Sequence, residues 1–382
     1  MRDDGVVAQA LLGQARSFVA DHVAGQIAQF LSERRSSLDL MVPAARQGLL
    51  GIQVSPSHGG LGLPFSSKMQ AMQILAEADF GLAMSVVNTH NVAEHVARMA
   101  DPKVAKAIVP DLLSGKTTAC TALTEPGAGS DFASIQTTAV PAPGGWLLSG
   151  DKTWITNAHH AVWFVVYAQT QASAGAAGIA AFLVDARQSG FVRHAGLPMG
   201  PSSTAGTGGF GLDNYFCPSE HLLAAPGEAF KDIMRSINGA RTYVAAMCCG
   251  MVAECLRQAQ AYGNERKAFG KPLLAHQGWR WALADADIDL KAAQCLVDEA
   301  ARYIDQGQDA QLVAARAKVF ATRMAQRHIG ALMHAMGAAG LHEHLPFVRH
   351  LAGAQLAGLV DGSTEMLLER ISKEFKTASR SS

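Results

Sequence analysis

Unbalanced charge, paired cysteines and long apolar runs are all scarce in this sequence of 382 residues. Lysine plus arginine equals aspartate plus glutamate, which argues against a nucleic-acid or anionic-membrane surface as the main partner. The six cysteines form no CxxC pair, so we expect neither a metal site nor a disulfide; Cys248, Cys255 and their neighbours lie on an apolar helical face, where buried free thiols are expected. The least polar helical run, 244–253, is shorter than the roughly 20 residues that span a bilayer. No apolar segment follows the charged start, so we expect a cytoplasmic protein without a secretory signal.

The order of compositions along the chain predicts three regions. Apolar residues recur at helical spacing over about 6–118, β-branched and aromatic runs dominate 119–225, and helical spacing returns from 226 onward. The expected fold is therefore α+β and multidomain. It comprises an N-terminal helical domain at 1–118, a central β-domain at 119–225 and a C-terminal four-helix bundle at 226–382.

Residue types also predict local features near the helix ends. Pro110 is expected at a helix edge, and Gly270 is expected to cap the helix that precedes it. The apolar run 356–360 has a strand-like composition. Either Ser363 or Thr364 is expected to cap the final helix.

One segment, residues 124–131, is rich in groups that bind ligands, and residues 152–157 follow it closely. Its glycines let the backbone approach a ligand, while the hydroxyls of both segments offer hydrogen bonds and Trp154 offers a broad apolar face. These features predict a pocket for a large, flat, partly polar cofactor. For the first segment alone, a surface turn followed by a hairpin is the alternative.

Two other patterns are interpreted as structural. Residues 206–211 have the GxGxxG spacing of a dinucleotide-binding loop, but a strand-like run ended by proline follows, where that motif requires a helix. The histidines within 90–95 and 342–344 do not have the spacing of zinc-protease motifs. We therefore predict no metal site.

Two C-terminal segments carry further chemistry. Arg266 could pair with a phosphate and Phe269 could pack on an aromatic ring, although a capped interhelical loop also explains both. Asp361 follows an apolar run, where partial desolvation would raise its pKa and suit a carboxylate base. The alternative for Asp361 is an acid placed favourably near a helix N-terminus.

Five motifs, in this order, are similar to those of the acyl-CoA dehydrogenase family over nearly the whole chain: 124–131, 154–156, 266–270, 337–340 and 361–365. The resemblance implies a flavoprotein with FAD held between the β-domain and the C-terminal bundle, in a tetramer built as a dimer of dimers. It also implies α,β-desaturation of an acyl-CoA or acyl-carrier-protein thioester in fatty acid metabolism. An electron-transfer flavoprotein would accept the electrons.

The resemblance assigns roles to individual residues. Asp361 would remove the α-proton while the β-hydrogen leaves as hydride to flavin N5, and the N–H of Asp361 would support the enolate oxygen. The implied substrate contacts are Ser130, Arg241 and Gly362. The implied FAD contacts are Thr121, Leu123, Thr124, Gly129, Ser130, Trp154, Ile155, Thr156, Arg266, Phe269, Gln277, His334, Gly337, Ala338, Ser363 and Glu365. Of these, Arg266, Phe269 and Gln277 resemble residues that reach the FAD of a neighbouring subunit.

Departures from the family pattern indicate a specialised member. The usual base at position 361 is Glu, one methylene longer than Asp, and the alternative base position holds Ala240. The other departures are Pro201, His334, Ala338, Ala352 and Gly353.

Two alternatives to the dehydrogenase remain. Nitroalkane oxidases resemble the family and use Asp at this place, paired with an Arg where this chain has Leu368. A non-catalytic flavin- or acyl-binding scaffold would also account for the shortened carboxylate.

Overall fold

The structure is a computed structural model that describes residues 4–171, 174–197 and 204–378, with side chains described to residue 375. The departure at Pro201 lies outside the described residues.

Helices dominate both ends of the described chain. They are α1 (Asp4–Phe18), α2 (Ile27–Ser32), α3 (Met41–Arg46), α4 (Phe65–Ala78), α5 (Phe80–Met99), α6 (Pro102–Leu113), α7 (Ala229–Glu265), α8 (Gln277–Asp305), α9 (Gln311–Ala335), α10 (Phe347–Ala357) and α11 (Thr364–Ala378).

Strands fill most of the middle region. They are β1 (Ala119–Ala122), β2 (Thr138–Ala142), β3 (Gly145–Ile155), β4 (Trp163–Gln169), β5 (Ile179–Asp185), β6 (Phe191–Arg193), β7 (Gly208–Pro218) and β8 (Leu222–Ala224), and a small hairpin of β9 (Lys267–Ala268) and β10 (Lys271–Pro272) follows α7. The predicted order of helices, sheet and helices is confirmed.

The chain divides into two compact units, each assembled from separate segments. The first unit takes Met1–Phe18, Glu33–Pro64 and Met84–Ser236. The second takes Val19–Ser32, Phe65–Ala83 and Ile237–Ser382.

An eight-stranded sheet forms the centre of the first unit. Its strands run in the order β6-β7-β3-β2-β4-β5-β8, and β1 pairs in parallel with β4. Alternate side chains of β4 enter two different cores: Val165 packs with residues of α5 and α6, while Phe164 packs with aromatic residues of β5 and β7. A strand that is buried on both faces needs a continuous apolar run, which is why residues 163–167 read as a strand in the sequence.

The patterns interpreted as structural are structural in the first unit. Gly208 begins strand β7, so the GxGxxG spacing marks a strand edge. His90 is buried on α5, and its Nε2 accepts a hydrogen bond from the N–H of Gln53 at 3.0 Å.

Long helices build the second unit around the apolar stripe of α7. Val244, Met247 and Met251 on this stripe are fully buried. A Cβ at Gly250 would lie 2.2 Å from the carbonyl oxygen of Gln73, so only glycine allows α4 to pass this close to α7.

The ends of α4 are fixed by residues from distant parts of the second unit. The carboxylate of Asp305 accepts hydrogen bonds from the N–H groups of Phe65 (2.7 Å) and Ser66 (3.2 Å). At the other end, Arg349 donates to the carbonyl of Ala78 at 3.0 Å. Side chains thus supply the partners that the helix termini lack.

Three local expectations were wrong. Pro110 lies inside α6, where burial of Ile108 and Leu112 on the same helix outweighs the loss of one hydrogen bond. The run 356–360 completes α10 and then turns; it is not a strand. Gly270 does not cap α7, which ends at Glu265, but turns the β9–β10 hairpin.

Candidate functional site

A tight turn joins α10 to α11 and presents Asp361. Asp361 and the following Gly362 both have left-handed backbones, with φ of 53° and 94°. Ser363 ends the turn, and its Oγ accepts the N–H of Met366 at 3.4 Å, which confirms the predicted cap of α11. A left-handed Asp costs about 1 kcal/mol, so other contacts must hold this conformation.

Two buried cations hold the main chain of this turn. The ammonium of Lys318, on α9, donates to the carbonyl oxygen of Val360 and to that of Gly362 (2.6 Å). The Nε of Arg241, on α7, donates to the carbonyl oxygen of Asp361 at 3.2 Å. Three consecutive carbonyls therefore accept hydrogen bonds from two side chains of neighbouring helices.

The carboxylate of Asp361 lacks such partners. Its Oδ2 is fully buried and, among the described residues, no donor lies within hydrogen-bonding distance of it. Burial raises the pKa of Asp361, and the opposing effects of Lys318 and Arg241 are smaller. The shift has the direction that the sequence predicted, and it suits a general base.

Arg241 faces the main chain of the turn and the amide of Asn238. Its Nη1 donates to Asn238 Oδ1 at 3.0 Å, and burial lowers the pKa of the guanidinium. A Cβ at Gly362 would lie 3.4 Å from Nη2 of Arg241. The second unit thus brings together three predicted site residues, Asp361, Arg241 and Gly362.

In the first unit, the cofactor-like segment 124–131 is fixed against β3. The N–H of Thr153 donates to the carbonyl of Thr124 at 3.0 Å, and Glu125 pairs with Ala128 across a tight turn. Thr121, Leu123 and Thr124 are half-buried along this edge, whereas Gly129 and Ser130 are exposed.

A buried ion pair lies beneath this segment. Lys152 Nζ contacts Glu125 Oε1 at 2.7 Å and donates to the carbonyl of Leu123 at 3.0 Å. Glu125 also accepts from the main chain of Gln136 (2.6 Å) and Thr137 (3.0 Å). Burial lowers the pKa of Lys152 to about 8 despite this carboxylate, while Lys152 and the other donors hold the pKa of Glu125 below its usual range although its burial opposes them.

Trp154 is held in an unusual position next to the same segment. It lies at an irregularity in the β3–β7 pairing, has φ of 58° and leaves 57% of its surface exposed. Ile155 is buried, and Thr156 is half-buried. The next residue, Asn157, donates to the carbonyls of Ser85 (2.9 Å) and Ala119 (3.1 Å) and so fixes the end of the strand.

Three predicted residues of the second unit lie at the β9–β10 hairpin. Phe269 is 95% exposed at the hairpin turn, where Phe269 and Gly270 have φ of 50° and 79°. Arg266, before the hairpin, and Gln277, the first residue of α8, are also exposed. These side chains project from the unit without being covered by it.

The remaining predicted residues lie at two helix ends. His334 is exposed at the end of α9, and Gly337 and Ala338 are exposed in the turn that follows, with φ of 61° at Gly337. Glu365 is exposed in the first turn of α11.

Comparisons with known proteins decide the family. Three protein-family models match successive parts of the chain: the N-terminal domain of acyl-CoA dehydrogenase at residues 7–116, its middle domain at 120–214 and its C-terminal domain at 227–376. An acyl-CoA dehydrogenase of Bacillus subtilis (strain 168) is 31% identical over 87% of this chain and 88% of its own length. The chain belongs to the acyl-CoA dehydrogenase family.

Solved structures agree with this assignment. Butyryl-CoA dehydrogenase from Megasphaera elsdenii has a TM-score of 0.92 and 28% identity, covering 98% of each chain. A structure described as PigA with FAD and proline has a TM-score of 0.92 and 25% identity, covering 97% of each chain. The predicted fold and the predicted enzyme class, an oxidoreductase of the acyl-CoA dehydrogenase type, are confirmed.

Sequence reasoning missed two lysines of this member of the acyl-CoA dehydrogenase family. Lys318 is 1% exposed among fully buried alanines of α9, including Ala314 and Ala321, and Lys152 is equally buried on β3. A charge within an apolar stripe was the available signal, since lysine is rarely buried without a partner.

The described parts of the chain contain neither a candidate metal cluster nor a candidate membrane-spanning helix. There, no group of three or more His, Cys, Asp or Glu side chains is placed to hold a metal ion. Nor does any helix in these ranges combine the length and apolar character needed to cross a membrane.

Proposed function

We propose that this protein is an FAD-dependent dehydrogenase of acyl thioesters in which Asp361 removes the α-proton. The observation that carries the proposal is the carboxylate of Asp361, whose Oδ2 is buried and lacks a donor among the described residues. An unpartnered buried carboxylate is costly, and such groups concentrate at functional sites. Its raised pKa increases its strength as a base near neutral pH.

The main-chain N–H of Asp361 supports the same role. In the described chain it donates to no other residue, whereas its own carbonyl accepts from Arg241. An unpaired N–H beside the base can donate to the thioester oxygen, where negative charge develops as the α-proton leaves.

The first unit offers features that fit a flavin. A Cβ at Gly127 would meet nothing within 4 Å, and one at Gly129 would meet only Thr124 at 4.0 Å. Neither glycine has a positive φ, so neither packing nor backbone requires it, and a ligand lying against the segment would account for both. Trp154, exposed on a strained backbone, offers a face for a flat ring.

The residues that would hold FAD in this unit are those of the two segments. They are Thr121, Leu123, Thr124, Gly129, Ser130, Trp154, Ile155 and Thr156. When bound, FAD supplies the hydride acceptor, which no protein side chain can provide. Ser130 is also proposed to contact the substrate.

Exposed residues of the second unit support assembly into a tetramer. Phe269 is almost fully exposed at the hairpin turn and Arg266, just before the hairpin, is exposed too, an arrangement that a single protomer does not explain. We assign to the FAD of a neighbouring subunit the exposed residues Arg266, Phe269, Gln277, His334, Gly337 and Ala338. Ser363 and Glu365 are also proposed to contact FAD. The electron acceptor is proposed to be an electron-transfer flavoprotein.

The alternatives are less well supported. A nitroalkane oxidase would pair Asp361 with an arginine through its carboxylate, but Arg241 donates to the main-chain oxygen and Leu368 occupies the comparable position. A non-catalytic scaffold gives no reason to retain a buried carboxylate of raised pKa.

Anaerobic titration of the purified flavoprotein tests the proposal. A panel of acyl-CoAs and acyl-carrier-protein thioesters should include at least one that bleaches the flavin absorbance. Asp361→Asn should keep FAD bound and abolish bleaching, whereas Asp289→Asn, on α8, should bleach normally. Bleaching by a nitroalkane alone, with release of hydrogen peroxide, would favour the oxidase.

A further inference from the structure

A contribution to the stability of the fold does not explain why Lys318 is buried. Its side chain is 1% exposed, and no carboxylate of the described residues forms an ion pair with it. Burial lowers the pKa of Lys318 to about 8, even though Asp361 opposes the shift. An apolar residue would fill this place on α9 without the cost of burying a charge.

The partners of Lys318 are the two carbonyls on either side of the base. Its ammonium donates to Val360 and Gly362 and so bridges the residue between them. Both flanking hydrogen bonds oppose the tendency of Asp361 and Gly362 to leave their left-handed conformations.

The hydrogen bond from Lys318 to the carbonyl of Val360 also sets the direction of the N–H of Asp361, which belongs to the same peptide. In a trans peptide the carbonyl and the following N–H point in opposite directions. Because Lys318 draws the carbonyl of Val360 toward α9, the N–H of Asp361 must point away from α9. One side chain therefore sets the direction of the N–H and the position of the Cα that carries the carboxylate.

The shortened side chain makes this control more important. Asp has two side-chain torsions and Glu has three, so an Asp carboxylate can compensate less for an error in its backbone. Because this chain has Asp where the family usually has Glu, the position of the carboxylate depends closely on the backbone conformation of the turn at Asp361.

We infer that Lys318 is a positioning residue of the dehydrogenation, whose ammonium fixes the carbonyls of Val360 and Gly362 and thereby aims the carboxylate and N–H of Asp361. This role rests on the proposed function of Asp361. Lys318 does not touch the substrate and takes no proton from it.

The main test is Lys318→Met in the FAD-loaded enzyme. The variant should lose roughly 10- to 100-fold in kcat, as expected for a misplaced base, with less than about a threefold change in KM. FAD content should be unchanged. Thr322→Val, one turn further along α9 and equally buried, is the matched control and should leave kcat unchanged.

The pH profile separates positioning from stability. Lys318 and Arg241 both lower the pKa of Asp361, so removing Lys318 should move the acid limb of kcat/KM to higher pH. The other groups near these cations are Arg370, which faces Arg241, and Cys248, which faces Lys318; both remain in the variant. A lysine that only stabilised the fold would lower the melting temperature and leave the plateau of kcat unchanged, so a lower plateau together with the moved limb identifies positioning.

Hydrogen exchange gives a readout that needs no turnover. The N–H of Val360 donates to Leu356 (3.2 Å), and that of Thr364 donates to Gly358 (3.0 Å). Both amides should exchange at least about tenfold faster in Lys318→Met than in the wild type or Thr322→Val, because the turn loses its anchor. Lys318→Gln, which keeps a donor, should be intermediate and replaces the Met variant if that variant does not fold.

The outcomes distinguish the two proposals. If the wild type turns over but Lys318→Met keeps kcat within threefold, with an unmoved acid limb and unchanged exchange, the positioning role is overturned while the function stands. If no thioester reduces the wild type, the proposed function fails, and the role of Lys318 in it fails too.

Discussion

Replacing Asp361 with Asn should stabilise the protein while removing its activity. Asn has nearly the same shape and also tolerates a left-handed backbone, so the turn at φ of 53° should persist. The substitution removes a buried charge whose Oδ2 has no donor among the described residues. The hydrogen bonds that Arg241 and Lys318 make to the main chain are untouched.

The size of the gain follows from the contacts of the carboxylate. Asn would bury a neutral polar atom at the same place, so the gain is only the further cost of burying a negative charge without a donor, on the order of 1–3 kcal/mol. Two nearby cations offset part of this cost, and the residue as a whole is only half-buried, so we expect the lower end, about 1 kcal/mol. For a chain of 382 residues, that corresponds to a melting temperature about 1–2 °C higher. Loss of the base should reduce flavin reduction by at least about 100-fold.

Calorimetry as a function of pH checks the origin of the gain. Burial raises the folded-state pKa of Asp361 above the unfolded value, so between these two values the folded protein binds more protons. Wild-type stability therefore falls as pH rises through this window, and the Asn variant lacks that contribution. Asp361→Asn should therefore bring no gain in stability at a pH below the pKa of Asp361 in the unfolded protein. It should bring its full gain at a pH above the pKa of Asp361 in the folded protein.

Asp289→Asn is the control, and it should change the stability in the opposite direction to Asp361→Asn. Its carboxylate accepts a hydrogen bond from Nε2 of His328 at 2.8 Å and also pairs with Arg327. Asp289→Asn should therefore lower stability at neutral pH. If Asp361→Asn is destabilised as well, the attraction of the cations outweighs burial, and our account of the raised pKa is refuted.

Three further predictions concern other contacts. Trp154→Ala should weaken FAD retention at least about tenfold by equilibrium dialysis while leaving the melting temperature of the apoprotein within about 1 °C, because the indole is mostly exposed; an unchanged FAD affinity would contradict its role. Lys152→Met should cost about 3–5 kcal/mol in urea unfolding because Glu125 would be left buried without a cation, with hydrogen bonds only from Gln136 and Thr137, and Lys152→Met with Glu125→Gln should recover part of this loss. Gly250→Ala should yield little folded protein on size exclusion, since its Cβ would clash with the Gln73 carbonyl, whereas Gly278→Ala, with open space around it, should fold normally.

The sequence predicted those parts of the molecule that depend on local pattern. The stripe of α7, the buried strand at 163–167 and a cap at Ser363 or Thr364, which the structure places at Ser363, all follow from residue spacing and type. The raised pKa of Asp361 was also predicted, because the apolar run before it is contiguous in sequence.

Features that depend on distant contacts were wrong or missed. Lys318 lies 43 residues before Asp361 in sequence, and only the packing of α9 against the turn brings its ammonium to Val360 and Gly362. Gly270 was expected to cap a helix because its neighbours are helical, yet pairing of Lys267 with Pro272 makes it a hairpin turn. In both cases tertiary contacts override local preference.

The discontinuous second unit has a consequence for synthesis on the ribosome. Helix α4 belongs to this unit, but its main packing partners begin about 160 residues later, at Ile237. The buried face of α4, with Met69 and Met72, must therefore wait for the whole sheet to be translated. At the usual rates of about 5–20 residues per second, this delay is of the order of ten seconds or more. Nascent chains stalled within the sheet should bind chaperones through α4, and a fragment ending before α7 should not fold alone.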